Sequence, residues 1–179
     1  MKMIKTLASS SIITMALSVV FTATLLAQTP KLNDAEVASV AVTANQIDIN
    51  YATVAKAKSK NVDILKFAET MSNDHKAVIA QAVALVTKLK VTPKDNAVSK
   101  KLMADAEVTK KTLLSKSGKA FDKAYIDNEV AYHKAVIGAV EGLLIPSSKN
   151  AELKALLEKV VPALKVHLSH AEMVQMKFK

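Results

Sequence analysis

Apolar residues recur at three- and four-residue intervals through nearly all of the chain beyond residue 33, the spacing that one buried face of an α-helix requires. Val37, Val40, Ala44, Ile47, Tyr51 and Val54 form one such stripe. Ile64, Ala68, Met71, Val78, Ala82, Leu85 and Leu89 form a second, interrupted by His75. No stretch alternates apolar and polar residues for long enough to compete as a strand. With only three glycines and four prolines in 179 residues, long helices joined by short loops are the expected outcome.

Asn33 or Asp34, Asn61 and Asn150 stand where helix N-caps are needed. Val91-Thr92-Pro93 stops the second helix, because the residue before proline avoids helical dihedrals. The spacing predicts helices over 34–58, 62–90, 96–117, 119–144 and 150–177. Gly118 suits the C′ position of the third, and Pro162 should kink the last without ending it. Val40, Ile47, Leu65, Met71, Leu85, Leu102, Tyr125, Val136, Leu157 and Leu164 are the expected core, with Met103 also inside. Two long helices, a shorter linking helix, then two more long helices is the order of an all-α, ferritin-like four-helix bundle.

Four segments also carry a family resemblance. Met71-Ser72-Asn73-Asp74-His75, Gly118 to Tyr125, Glu129 to His133, and Pro162 with His167, Leu168 and Ala171 resemble, in this order, the exported bacterial family called domain of unknown function 4142. The resemblance runs from about Asn33 to Val174. It implies a ferritin-like fold and a periplasmic or outer-membrane setting, and it implies no activity.

The first residues fit that setting. Lys2 and Lys5 precede sixteen uncharged residues, Ile12 to Ala27, a run too short for a comfortable membrane span of ~20 residues. The expectation is an export signal over 1–27, cut after Ala27, followed by one domain over 28–179. That places the protein in the periplasm or at the outer membrane. The chain has no cysteine, which excludes disulfides, thiol catalysis and a lipoprotein anchor.

The net charge is +9, and every basic residue is lysine. Without arginine forks, nucleic-acid recognition is not expected. Eight lysines lie between Lys94 and Lys123. They serve to solvate exposed helix faces, and the sharper alternative is attraction of the linking helix to an anionic membrane or envelope surface. The chain has neither a glycine-rich phosphate loop nor a Gly-x-Ser-x-Gly elbow, and it reads as a non-enzyme.

The histidines supply the one candidate site. A di-iron carboxylate centre needs Glu-x-x-His pairs, but three residues before His75, His133, His167 and His170 stand Ser72, Val130, Leu164 and His167. At ~1.5 Å per residue, His75, His133 and His167 reach one level of the bundle together with Asp48, and Glu129 lies one turn from His133. In one reading the histidines pair internally with Asp48, Glu129, Tyr51 or Tyr132 and fix helix register. In the other, two or three imidazoles with Asp48 or Glu129 hold a zinc, copper or iron ion. On sequence alone the first is preferred, giving a non-catalytic exported bundle with no assured cofactor. His170, Met173 and Met176 form a weaker terminal cluster suited to a soft metal.

Overall fold

A computed structural model describes residues 31–178, so the expected signal segment lies outside the described residues. Five long helices follow one another: α1 (Asp34–Lys58), α2 (Val62–Lys88), α3 (Ala97–Leu114), α4 (Gly118–Ala139) and α5 (Ala151–Gln175). The chain is an all-α bundle, and no strand occurs among the described residues. No helix there is long and apolar enough to cross a membrane.

The caps explain where the helices start. The Asn33 side chain accepts from the Glu36 N–H while the Glu36 carboxylate accepts from the Asn33 N–H, a reciprocal box at the head of α1. Asn61, Asn96 and Asn150 accept from the first free N–H groups of α2, α3 and α5. The α2 terminus is less usual. Val91 N–H donates to the Val86 carbonyl and Lys90 N–H to that of Thr87, a Schellman closure with Lys90 at φ 54° where glycine is normally found.

Three local expectations are corrected. The third helix ends at Leu114, where Ser115 donates back to Lys111; Gly118, at φ 53°, opens α4 and is not the C′ residue of α3. Helix α4 widens into a π turn over Val140–Leu144 before a last α turn, Ile145–Ser147. Pro146 cannot donate to Gly142 and its ring would crowd that carbonyl, so the wider turn accommodates it, with Ile145 N–H reaching Val140. Met103 is exposed, because α3 packs through one narrow face and only Ser99 and Leu113 of that helix are fully buried. Pro162, as expected, lies within a continuous α5.

Hydrogen bonds between ends fix the topology. Lys94 N–H donates to the Ala35 carbonyl at the head of α1, and Lys58 Nζ donates to the Leu114 carbonyl at its foot, so α3 runs alongside α1 in the same direction. Ser59, after α1, donates to Asp122 in the first turn of α4 (2.6 Å), which puts the starts of α2 and α4 at one end. Asn150 N–H bonds to Asp34, placing the start of α5 at the other. Helices α1, α3 and α5 therefore point one way, and α2 and α4 the opposite way.

The core divides into two clusters. The one at the α2 and α4 start is rich in large side chains, with Phe67, Phe121, Tyr125, Ile64 and Met71 fully buried. The one at the α1 and α5 start contains Val37, Val40, Leu144, Leu153, Leu157 and Leu164 and no buried aromatic residue. Of the expected core, Leu65, Leu85, Leu102 and Val136 are half-buried; the other six are buried. A layer of polar side chains separates the two clusters.

Candidate metal centre

That layer is formed by Asp48 from α1, His75 from α2, His133 from α4 and His167 from α5, each near mid-helix. The opposed directions of the helices bring the four positions to one level, as the residue count predicts. All four side chains are buried, with Asp48 and Glu129 completely so. The imidazole centroids form a triangle with edges of 5.2, 5.6 and 5.8 Å.

Each ring is held by its outer nitrogen, and its acceptor partner decides where the proton sits. Asn45 donates its amide N–H to the Ala41 carbonyl (2.8 Å), which leaves its oxygen facing His75 Nδ1 at 2.7 Å. His75 Nδ1 therefore donates, and the lone pair is on Nε2. His133 Nδ1 donates to the Glu129 carbonyl at 2.9 Å, leaving its Nε2 as the free acceptor. His167 Nε2 donates to the Asp74 carboxylate at 2.9 Å, leaving Nδ1. These three inner nitrogens are buried and have no hydrogen-bond partner within the protein; the same is true of both Asp48 oxygens.

One nitrogen from each of the three rings can be chosen so that all lie within 4.8 Å of one another. Asp48 Oδ2 is 3.3 Å from His75 Nε2 and 3.5 Å from His133 Nε2, without hydrogen-bond alignment in either case. Two donors each ~2.1 Å from a tetrahedral ion are ~3.4 Å apart, so these spacings suit ligands around a shared cation.

Electrostatics point the same way. Burial lowers the His75 pKa to about 3, helped by the neighbouring His133 and His167, and lowers that of His133 to about 4. Both rings are neutral at pH 7 and can act as donors to a metal. Burial pushes the Asp48 carboxyl up to about 8, and burial together with nearby Asp48 raises Glu129 well above the usual carboxylate range. Among the described residues, no lysine is buried that could neutralise them. At pH 7 the metal-free layer thus holds neutral imidazoles at His75 and His133 and a protonated Asp48, with no positive charge among them.

The sequence-predicted residues are all here, in unequal positions. His75, His133, His167 and Asp48 converge. Glu129 forms a second group with Asp48 and His133, whose ligand atoms lie within 4.8 Å of one another; its carboxylate is 3.7 Å from His133 Nδ1 and has no hydrogen-bond partner of its own. Of the expected internal partners, Tyr132 bonds instead to the Ala44 carbonyl, and Tyr51 stacks edge-on against it. Asn45 and Asp74, which orient two of the rings, were not anticipated. Their signal is positional: Asn45 precedes Asp48 by three residues on one face of α1, and Asp74 adjoins His75. In the terminal cluster, His170 packs on the Phe67 ring at 5.1 Å, while Met173 and Met176 are exposed.

No curated protein and no solved structure matches this chain. Residues 21–174 match the family described as "Domain of unknown function (DUF4142)", which covers the whole polar layer and all but the end of α5, and the chain belongs to that family.

Proposed function

We propose that this protein binds one transition-metal ion, with zinc the first choice, through His75 Nε2, His133 Nε2, His167 Nδ1 and a carboxylate oxygen of Asp48. One observation carries the reading: three buried imidazoles, each proton-oriented by an outer acceptor, offer nitrogens within 4.8 Å of one another, and an unpartnered Asp48 oxygen lies 3.3 and 3.5 Å from two of them. Metal-bound histidines are oriented in this way, by a carboxylate or carbonyl on the far nitrogen. Asn45, the Glu129 carbonyl and Asp74 would be that outer shell. Three imidazoles and one carboxylate suit zinc, copper or iron better than calcium or magnesium, which prefer all-oxygen shells.

Four protein donors complete a tetrahedron, as in sites that hold an ion and unlike those that keep a position open for reacting water. The protein is therefore proposed as a metal-binding bundle and not as an enzyme. The N-terminal segment supports an exported protein, with the ion held in the cell envelope. The internal-pairing reading draws on the same outer hydrogen bonds, but the single proton of Asp48 can serve at most one of the three inner nitrogens, which leaves two without partners. The test is elemental analysis of the mature protein purified without a His tag, followed by thermal melts with zinc, copper and iron. A stoichiometric metal and a raised Tm that His75→Ala abolishes would support the reading. Absence of metal together with unchanged melts would refute it.

A further inference from the structure

The half of the bundle with no buried aromatic residue is hollow. A cavity of about 340 Å³, partly open to solvent, has a polar end formed by the histidine layer with Asn45, Tyr51, Asp105, Thr109 and Asn128, and continues between the helices toward Leu144 and Leu153. Its volume falls in the ~300–1,000 Å³ range of small-molecule sites. Beyond the histidine layer in that direction every lining residue is apolar. The space exists because alanines stand at half-buried lining positions of three helices, among them Ala41, Ala82 and Ala139.

Its shape constrains an occupant. The lining on α1 runs from Ala38 to Tyr51, ~20 Å along the axis. Spread over that length, 340 Å³ gives a mean cross-section of about 17 Å², on the scale of one extended hydrocarbon chain. The polar groups are all at one end, and they include buried donor atoms of His75, His133, His167 and Asp48 that lack protein partners. Glu129 does not line the cavity.

We infer that the cavity is a binding site for a single-chain amphiphile of fatty-acid type, its hydrocarbon tail in the alanine-lined chamber and its carboxylate against the ion at the histidine layer. This rests on the metal reading above. A dication held by three neutral imidazoles and Asp48 keeps one net positive charge, which an anionic oxygen head matches. Zinc sites can expand to five donors, and the cavity, which His75, His133, His167 and Asp48 all line, supplies an approach to that position. The tail displaces nothing that is hydrogen-bonded, because an apolar chamber holds water poorly.

The experiment uses the mature protein, zinc as the metal and dodecanoate as the probe, with zinc and dodecanoate affinities measured separately by calorimetry. The expected result is dodecanoate binding to the zinc-loaded protein at least tenfold tighter than dodecanol, and at least tenfold tighter than to the zinc-free protein. Ala139→Leu or Ala82→Leu should fill the chamber, weakening dodecanoate at least tenfold while zinc affinity stays within twofold. Two filler positions on different helices guard against one failing to fold. Zinc binding without dodecanoate binding would overturn this inference and leave the metal reading standing. Equal dodecanoate affinity with and without zinc would overturn the contact between head and ion. No zinc binding would overturn both.

Discussion

Replacing Asp48 by asparagine separates the metal reading from the internal-pairing one, because the two predict opposite signs. In the metal-free protein the Asp48 carboxyl is fully buried and holds its proton up to about pH 8, against an ordinary value of 3.8. At pH 7 the unfolded chain carries this group ionised, so folding must protonate it. The difference of 3.2 pH units at 1.36 kcal/mol each comes to about 4 kcal/mol of destabilisation. Asparagine has the same shape and needs no proton. Asp48→Asn should therefore stabilise the metal-free protein at pH 7 by about 2–4 kcal/mol, an increase in Tm of roughly 5–12 °C for a domain of this size. With zinc the order reverses. The wild type gains about 4 kcal/mol at a thousandfold excess over Kd, whereas the variant has lost a charged ligand and gains less. Urea melts at pH 7, with chelator and with zinc, read both signs. If Asp48→Asn lowers the stability of the metal-free protein, the reasoning is refuted. The carboxylate would then be an anion paired with a protonated histidine, and removing it would leave that charge alone, at a loss of about 3–5 kcal/mol.

The same groups set the pH profile. The raised Asp48 contributes stability that is lost as pH climbs from 3.8 through about 8, while the lowered His75 and His133 contribute stability present above 6.5 and lost as pH falls through about 4 and 3. Metal-free protein should thus lose about 1.4 kcal/mol per pH unit from Asp48 between pH 6.5 and 8, a slope that zinc abolishes; a metal-free curve flat across that window would contradict the assignment. Lys90→Gly should stabilise the fold by about 1 kcal/mol, because Lys90 sits at φ 54° where a Cβ is strained, and denaturant melts would register it. The mature protein should sediment with anionic vesicles at low salt and release near physiological ionic strength through the exposed Lys100, Lys101 and Lys111; equal recovery with neutral vesicles would leave those lysines a solvating role only.

The fold was legible because its signals are local. Asparagine caps, apolar stripes and sparse glycine placed five helices within a few residues of their observed ends. The polar layer was legible for a related reason: mid-helix positions in helices of nearly equal length and known direction must meet. What escaped depends on side-chain direction or on neighbours. The count could place Asn45 near His75, but only the Ala41 carbonyl, by engaging the Asn45 amide nitrogen, turns its oxygen toward the ring. Met103 has the spacing of a core residue, yet α3 packs mainly on α1 through a narrow face and leaves that position in solvent. The π turn at Val140–Leu144 answers to Pro146, a conflict resolved in the backbone that no apolar pattern records. The cavity is the hardest to foresee, because alanine at an inward position reads the same in a tight crossing and in a hollow.

The uneven core bears on how such a site can persist. Burying Asp48 and Glu129 without a positive partner destabilises the metal-free bundle, and a void beside them adds lost contacts. Most of the void lies away from the half that contains Phe67, Phe121, Tyr125, Ile64 and Met71, where the aromatic rings pack at centroid distances near 6.2 Å. The α1–α2 connection and the start of α4 lie at that end and are tied by the Ser59–Asp122 hydrogen bond. The aromatic half can therefore hold the helices in register while the other half stays underpacked. Filling the second half with leucine in place of alanine would raise stability and close the approach to the histidines. On the proposed reading, the alanines at 41, 82 and 139 exchange packing for access, a trade expected where binding and stability compete for one interior.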